Sequence, residues 1–292
     1  MLLSYALVTG LTSGALYALI AVGLVMVYKS TGVINIAHGE LFMFCGFLAY
    51  AAHVQFGISY ISTFAVTIVA GFALGAAVYQ GAFKSLLKSS VANVLIAAIA
   101  ISFILKGTAR AIWGGLGDYI PFPPLLSTEP IELGSVMILP QQLVAVGVSV
   151  VLMLGLAAFF KLTRLGKWMQ ATADNVKAAK LVGIRTERIY LLSFGIGTAI
   201  AEVAAVVMAP ITLLYPDIGF NLFLKAFAAA VLGGLTSIVG AILGGVLVGL
   251  IETLAATFLH SKFQEVSSFV VIMFALIFLP NGLLGARRIR KV

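Results

Sequence analysis

Apolar residues along this chain come in blocks of about 20 or more, separated by short polar breaks and recurring from end to end. A block of that length makes a helix able to cross a hydrocarbon core about 30 Å thick. The pattern predicts spans at 5–28, 35–54, 58–82, 91–111, 140–160 and 190–212. The stretch 222–259 is too long for one ordinary crossing and divides near 236–240, among Gly233, Gly234, Gly240, Gly244, Gly245 and Gly249. A last apolar run covers 265–284. His38, Glu40 and Gly46 interrupt 35–54, which marks it as a broken or partly re-entrant element, because backbone leaving a helix within a membrane must face protein or water. The expected fold is an all-α polytopic membrane protein with about eight conventional spans plus a short broken membrane helix. All of it forms one transmembrane domain over 1–292. Short-helix signals around 31–46 and 226–240 fit an inverted-topology duplication.

Composition removes the soluble alternatives. Apolar residues make up 62% of the 292 and charged residues only 10%, against roughly 25% charged in an ordinary globular domain. The net charge of +8 would point to nucleic acid on a soluble protein, but no polar domain or aromatic platform accompanies it, so no nucleic-acid partner is expected. A single cysteine, Cys45, rules out an intramolecular disulfide and a thiolate metal cluster. His38, His53 and His260 have no ligand-set spacing, and no metal site is expected. No Walker-type phosphate loop is present, so ATP hydrolysis is not expected of this chain.

The scarce charges orient the helices. Lys161, Arg164, Lys167, Lys177, Lys180, Arg185 and Arg188 share the segment 161–189, and Arg287, Arg288, Arg290 and Lys291 close the chain, so both regions are expected in the cytoplasm. Lys84 and Lys88 agree for the loop 83–90. The loop 112–139 has Asp118, Glu129 and Glu132 without Lys or Arg, and its prolines resist helix, so it is expected outside. Lys106 and Arg110 sit awkwardly near an outward helix end, and need snorkelling or a protein-lined position. The N-terminus is expected outside. The first tract lacks a basic preceding region and a cleavage site, and reads as a retained helix.

Three groups of residues are candidates for function. Thr31 through Glu40 sets polar side chains and two glycines beside apolar helices. Asn35, His38, Gly39 and Glu40 either brace a satisfied turn or border a translocation path, and Gly233 and Gly234 in the tract from Lys225 either permit dense helix packing or line that path. Glu202 and Glu252 lie inside apolar spans and Lys225 begins the tract after the external turn, where an unpaired charge is costly; Lys225 is expected either to pair with Asp217 or to anchor its helix at the interface. The segment Lys161 to Ile184 reads centrally as a short amphipathic helix. Trp168, Ala171, Val176, Ala179 and Leu181 offer apolar contact, and Gly183 is the stop. Such a helix docks in a partner groove or lies along headgroups.

Taken together, Val27 through Glu40, the segment 161–184, Lys225 through Gly245 and Leu279-Pro280-Asn281-Gly282-Leu283-Leu284-Gly285 resemble the permease subunits of high-affinity branched-chain amino acid ABC importers, LivH type, over nearly the full chain. Asn281 departs from the more usual basic residue of that ending. The resemblance implies a bacterial inner-membrane importer with a second related permease, two ATP-binding subunits that hold the ATP and Mg, a periplasmic amino-acid-binding protein, and lipid around the permease. This chain itself would bind no cofactor. The coupling region would run from Gly166 to Gly183, with Gly166, Trp168, Ala171, Asp174, Ala179 and Gly183 as its contact candidates. A solitary ion-coupled transporter and a noncatalytic membrane scaffold also fit the residues taken alone.

Overall fold

The computed structural model describes residues 2–116, 119–133 and 136–285. Asp118 and the C-terminal basic group Arg287, Arg288, Arg290 and Lys291 lie outside the described residues. The helices are α1 (Leu2–Thr31), α2 (His38–Tyr50), α3 (Tyr60–Val78), α4 (Lys84–Leu86), α5 (Val91–Trp113), α6 (Pro140–Leu162), α7 (Arg164–Asp174), α8 (Val176–Leu181), α9 (Thr186–Thr212), α10 (Ile218–Gly233), α11 (Ile238–Phe258) and α12 (Phe263–Phe278). Turns of π-helix, Ala51–Gln55 and Tyr79–Phe83, prolong α2 and α3. A small antiparallel hairpin, β1 (Ile131–Leu133) with β2 (Val136–Ile138), occupies the proline-rich loop, where no strand was expected. Six helices among the described residues are long and apolar enough to cross a membrane, and α10 and α12 are shorter apolar helices.

Local chemistry sets the helix ends. Ser59, Ser90, Thr163, Asn175 and Ser237 each accept a hydrogen bond from the backbone N–H three residues on, satisfying a donor that the helix leaves free. Hydroxyls inside the apolar helices return their protons to the preceding turn. Thr12 donates to the Val8 carbonyl and Thr67 to that of Thr63. The long apolar stretch breaks at Gly234, with φ +107°, close to the expected 236–240.

Two places turn the chain back into the protein. His38 lies against Gly23 of α1, eight residues before the end of that helix, so 32–37 runs back along α1 by about 12 Å at 1.5 Å per residue. The second turn is 213–217, which returns from α9 so that Gly219 packs on Gly39. Helix α2 therefore starts at His38, three residues later than expected. The counterpart of 31–46 begins at 213, earlier than the 226–240 read from glycines, because most of 226–240 is the C-terminal half of α10.

Packing follows an exchange of halves. Helix α1 packs on α11 as α9 packs on α3, α1 on α10 as α9 on α2, and the pairs α1 with α9 and α2 with α10 meet each other. Small residues permit these approaches. Gly23 and Gly197 face one another's carbonyls at the α1–α9 crossing, and Gly39 and Gly219 do the same at the α2–α10 crossing. The contact pattern is that of an inverted repeat with its axis between these two glycine pairs. Helices α3, α5, α6 and α12 surround this centre and carry many exposed apolar side chains, including Ile61, Phe103, Val151 and Phe278.

Candidate functional site

Asn35 is buried and its side-chain carbonyl accepts from the Ala37 N–H at 3.2 Å, while its backbone carbonyl accepts from His38 at 3.1 Å. It supplies the start of α2 with the cap that Ala37 lacks. His38 follows with its Nε2 against Gly23, without a hydrogen-bond partner among the described residues. Glu40 sends Oε1 toward Lys106 Nζ at 3.5 Å, and its Oε2 faces Gly219. Asn35, His38, Gly39 and Glu40 are thus brought together at the junction of the two halves.

Lys106 also meets Asp217 at 3.0 Å, and Arg110 meets Asp217 at 2.7 Å. The two bases that sat awkwardly on α5 are therefore the partners of the second turn. This corrects the expected pairing of Asp217 with Lys225. Partial burial opposes the Asp217 charge, but hydrogen bonds from Lys106 and Arg110 and their positive charges outweigh it and hold its carboxyl below the usual range. A carboxyl held low adds stability at and above its ordinary range, and loses it as pH falls through the lowered value. Asp217→Asn should flatten the acid-side decline of the thermal midpoint by a small amount, since the pair is solvated. Parallel acid limbs for the two proteins would contradict the link.

Gly233 and Gly234 are at the other end of α10. Gly233 touches the Gly240 carbonyl, and Gly234 needs its positive φ to turn into α11. The terminal motif packs here. Leu283 and Leu284 donate their N–H groups to the carbonyls of Leu232 and Gly233 at 2.8 and 3.0 Å, capping α10. It is the backbone carbonyl of Asn281 that lies beside Gly234 and Gly285, so this contact does not depend on the Asn281 side chain.

Among the described residues, three acids are buried in helices: Glu40, Glu202 and Glu252. Glu252 accepts from Lys225 Nζ at 2.5 Å, Gln264 Nε2 at 2.8 Å and Tyr17 OH at 3.2 Å, all on Oε1. Glu202 lies among the Cys45 thiol and Thr67 hydroxyl, but that hydroxyl is committed to the Thr63 carbonyl, and neither Glu202 oxygen has a hydrogen bond among the described residues. Tyr17, Lys225 and Gln264 also line a cavity of about 730 Å³ between α1, α10 and α12. Asn35, His38, Gly39, Glu40, Gly233 and Gly234 do not line it. The sequence reading passed over Tyr17 and Gln264; a hydroxyl in the apolar α1 was the only local signal of the former.

The segment 161–184 forms two helices, α7 and α8, where one was expected, because Asn175 caps a new helix. Gly166 lies on the backbone of Phe159 and Phe160, and Met169, Thr172 and Ala179 are buried against the helices. Trp168 is half exposed and Ala171 and Asp174 are exposed, while Leu181 and Val182 are 88% and 75% exposed. Gly183 takes φ +84° and ends α8, with Ile184 N–H bonded to the Ala179 carbonyl, as the sequence implied.

A family model for the permease component of branched-chain amino acid transport systems matches residues 6–279. The chain belongs to this family. The permease LivH of the high-affinity branched-chain amino acid transport system of Escherichia coli K12 is 35% identical, over 97% of this chain and 96% of its own. BraD of Pseudomonas aeruginosa is 35% identical over 98% and 97%. A probable LivH of Methanocaldococcus jannaschii is 29% identical over 92% and 89%. Among solved structures, PsaBC from Streptococcus pneumoniae in complex with Fab matches with a TM-score of 0.51 at 14% identity, covering 96% of this chain and 93% of that one, which is a likeness of fold. Within this ABC-type permease family, the chain is a membrane component without an ATPase domain.

Proposed function

We propose that this permease carries leucine, isoleucine and valine across a bacterial inner membrane by alternating access, driven by separate ATPase subunits. The match over residues 6–279 carries the reading, together with near full-length identity to permeases named for branched-chain amino acids. Its partners are a second related permease, two ATP-binding subunits that supply the ATP and Mg chemistry, and a periplasmic amino-acid-binding protein. The chain makes nine traversals, about eight spans plus a short broken element, with α2 and its π turn and α10 each completing one at a fold-back, so that the N-terminus lies outside and the C-terminus in the cytoplasm.

In this arrangement the ATPases grip the 161–189 region through Trp168, Ala171, Asp174 and the apolar end of α8. Gly166 lets α7 sit directly on the end of α6, and Ala179 and Gly183 fix where α8 stops. Alternating access then requires that the ATP-bound partners prefer one arrangement of the helices to the other. Asn35, His38, Gly39 and Glu40 border the path at one fold-back and Gly233 and Gly234 at the α10–α11 turn. These are the helix junctions where a change of angle takes least disruption of backbone hydrogen bonds. The external loop 112–139 shields the outward end, where Ile120 pairs with Leu214 of the second turn.

Reconstitution in proteoliposomes tests the reading. ATP-dependent uptake of leucine is expected only from the full assembly with its loaded binding protein; uptake by the lone chain under an ion gradient would overturn it. Deletion of 168–180 should leave membrane insertion intact and reduce ATP-dependent uptake to background. Full uptake by that variant would remove the coupling role of α7 and α8.

A further inference from the structure

The cavity of about 730 Å³ lies in the range of small-molecule sites, roughly 300–1,000 Å³. Thr212, Tyr215, Ser261 and Lys262 surround its mouth, at the end of the molecule away from α7 and α8, and Lys225 lies deeper on its α10 wall. Lys225 is held there firmly. Its Nζ donates to Glu252 Oε1 and to Tyr17 OH at 3.2 Å, and rides over the Tyr17 ring at 5.3 Å from the centroid. Its side chain nevertheless keeps 15% exposure, while Glu252 behind the wall keeps 1%.

An ion pair whose only task was to join α10 to α11 has a cheaper substitute, because well-packed apolar residues of similar volume serve as well or better. Ionisable groups retained inside membrane helices tend to face water-filled paths. This pair does so, with the cation on the wet side and the anion on the dry side. The other two buried carboxyls, Glu40 and Glu202, do not line the cavity. An ammonium has three donors, and two of those of Lys225 are committed, so one is left for an anion in the cavity. Beside it on the same wall are Leu222 and Phe220, with Met208 and Phe269 opposite, an apolar lining that suits a branched aliphatic side chain.

We propose that this cavity is a low-affinity subsite in the permease itself, in which Lys225 binds the α-carboxylate of the transported amino acid and the apolar wall takes its side chain. The inference rests on the importer reading above and adds a site within the membrane subunit. Glu252, off the cavity wall, positions the lysine together with Tyr17, and Gln264 holds Glu252 in place.

Asn221 lines the cavity one helical turn before Lys225 and is exposed, so Asn221→Cys places a thiol beside the lysine. The native Cys45 is buried and gives a silent background. In the complete ATP-free assembly, labelling of this thiol by a small thiosulfonate is read by mass on this chain. Millimolar leucine should slow labelling at least about fivefold, as a ligand several times above its Kd occupies the site, whereas leucinol, which lacks the carboxylate, should not. Lys225→Met in the same background should abolish the protection, and Lys225→Arg should retain part of it. If the assembly transports leucine but leucine gives no protection, or leucinol protects equally, the subsite is wrong while the importer stands. If the assembly does not transport leucine, the importer reading itself fails. Should Lys225→Met not assemble, the leucine and leucinol comparison on Asn221→Cys alone still decides.

Discussion

Glu252→Ala is expected to destabilise the permease by about 3–5 kcal/mol, because it leaves the Lys225 ammonium within the protein without its counter-charge. The loss exceeds that of one ion pair. Glu252 Oε1 gathers Lys225, Tyr17 and Gln264, so its removal takes away the shared acceptor of three donors from α10, α1 and the start of α12. Lys225→Met with Glu252→Leu should recover most of that stability, since it removes both charges and keeps the volume. Thermal midpoints of wild type, single and double variants in lipid nanodiscs read the comparison. A single variant as stable as wild type, or a double variant as unstable as the single, would show that the pair is not what Lys225 depends on. The double variant also separates structure from binding. It should fold and yet give no leucine protection of a cysteine at position 221.

How much of this was legible in the sequence depended on the range of the interaction. Helices were visible wherever an apolar block stood alone, as at 91–111 and 140–160, because length and hydropathy are local properties. Gly183 and the break after Gly233 were legible for the same reason, since a glycine at positive φ ends a helix whatever surrounds it. The 213–217 turn was not. Its residues resemble an ordinary connector, and only packing on Gly39 and the pull of Lys106 and Arg110 on Asp217 bring it inward. The pairing of Lys225 failed likewise: Asp217 is eight residues away and was the natural partner in sequence, but Glu252 comes into reach once α11 folds back on α10. Asn35, His38 and Glu40 were visible as polar exceptions. Their meeting place at the junction of two halves was not, because a weakly similar inverted repeat is written in contacts between elements far apart in the chain.

Gly39→Val is expected to prevent correct folding, and Gly39→Ala to cost about 1–3 kcal/mol or more by overpacking. A Cβ at position 39 would lie against the Gly219 carbonyl, with Phe223 Cβ at 2.6 Å and the Gly219 carbonyl carbon at 2.9 Å. None of these atoms turns aside by a rotamer change. Relief requires α2 and α10 to separate, and the separation is not confined to them: Gly219 faces Glu40 Oε2 in return, and Glu40 is tied through Lys106 to Asp217. Gly147 on α6 provides the control, since a Cβ there meets nothing within 4 Å. Gly147→Ala should be neutral or gain up to about 1 kcal/mol from helix propensity. The yield of monodisperse protein and the thermal midpoint distinguish the two positions. The same alanine has opposite signs at them only if the fold-backs meet backbone to backbone at the centre of the molecule. Equal behaviour of Gly39→Ala and Gly147→Ala would mean that this crossing has slack, and the two halves would then have no fixed contact about which to exchange their arrangements.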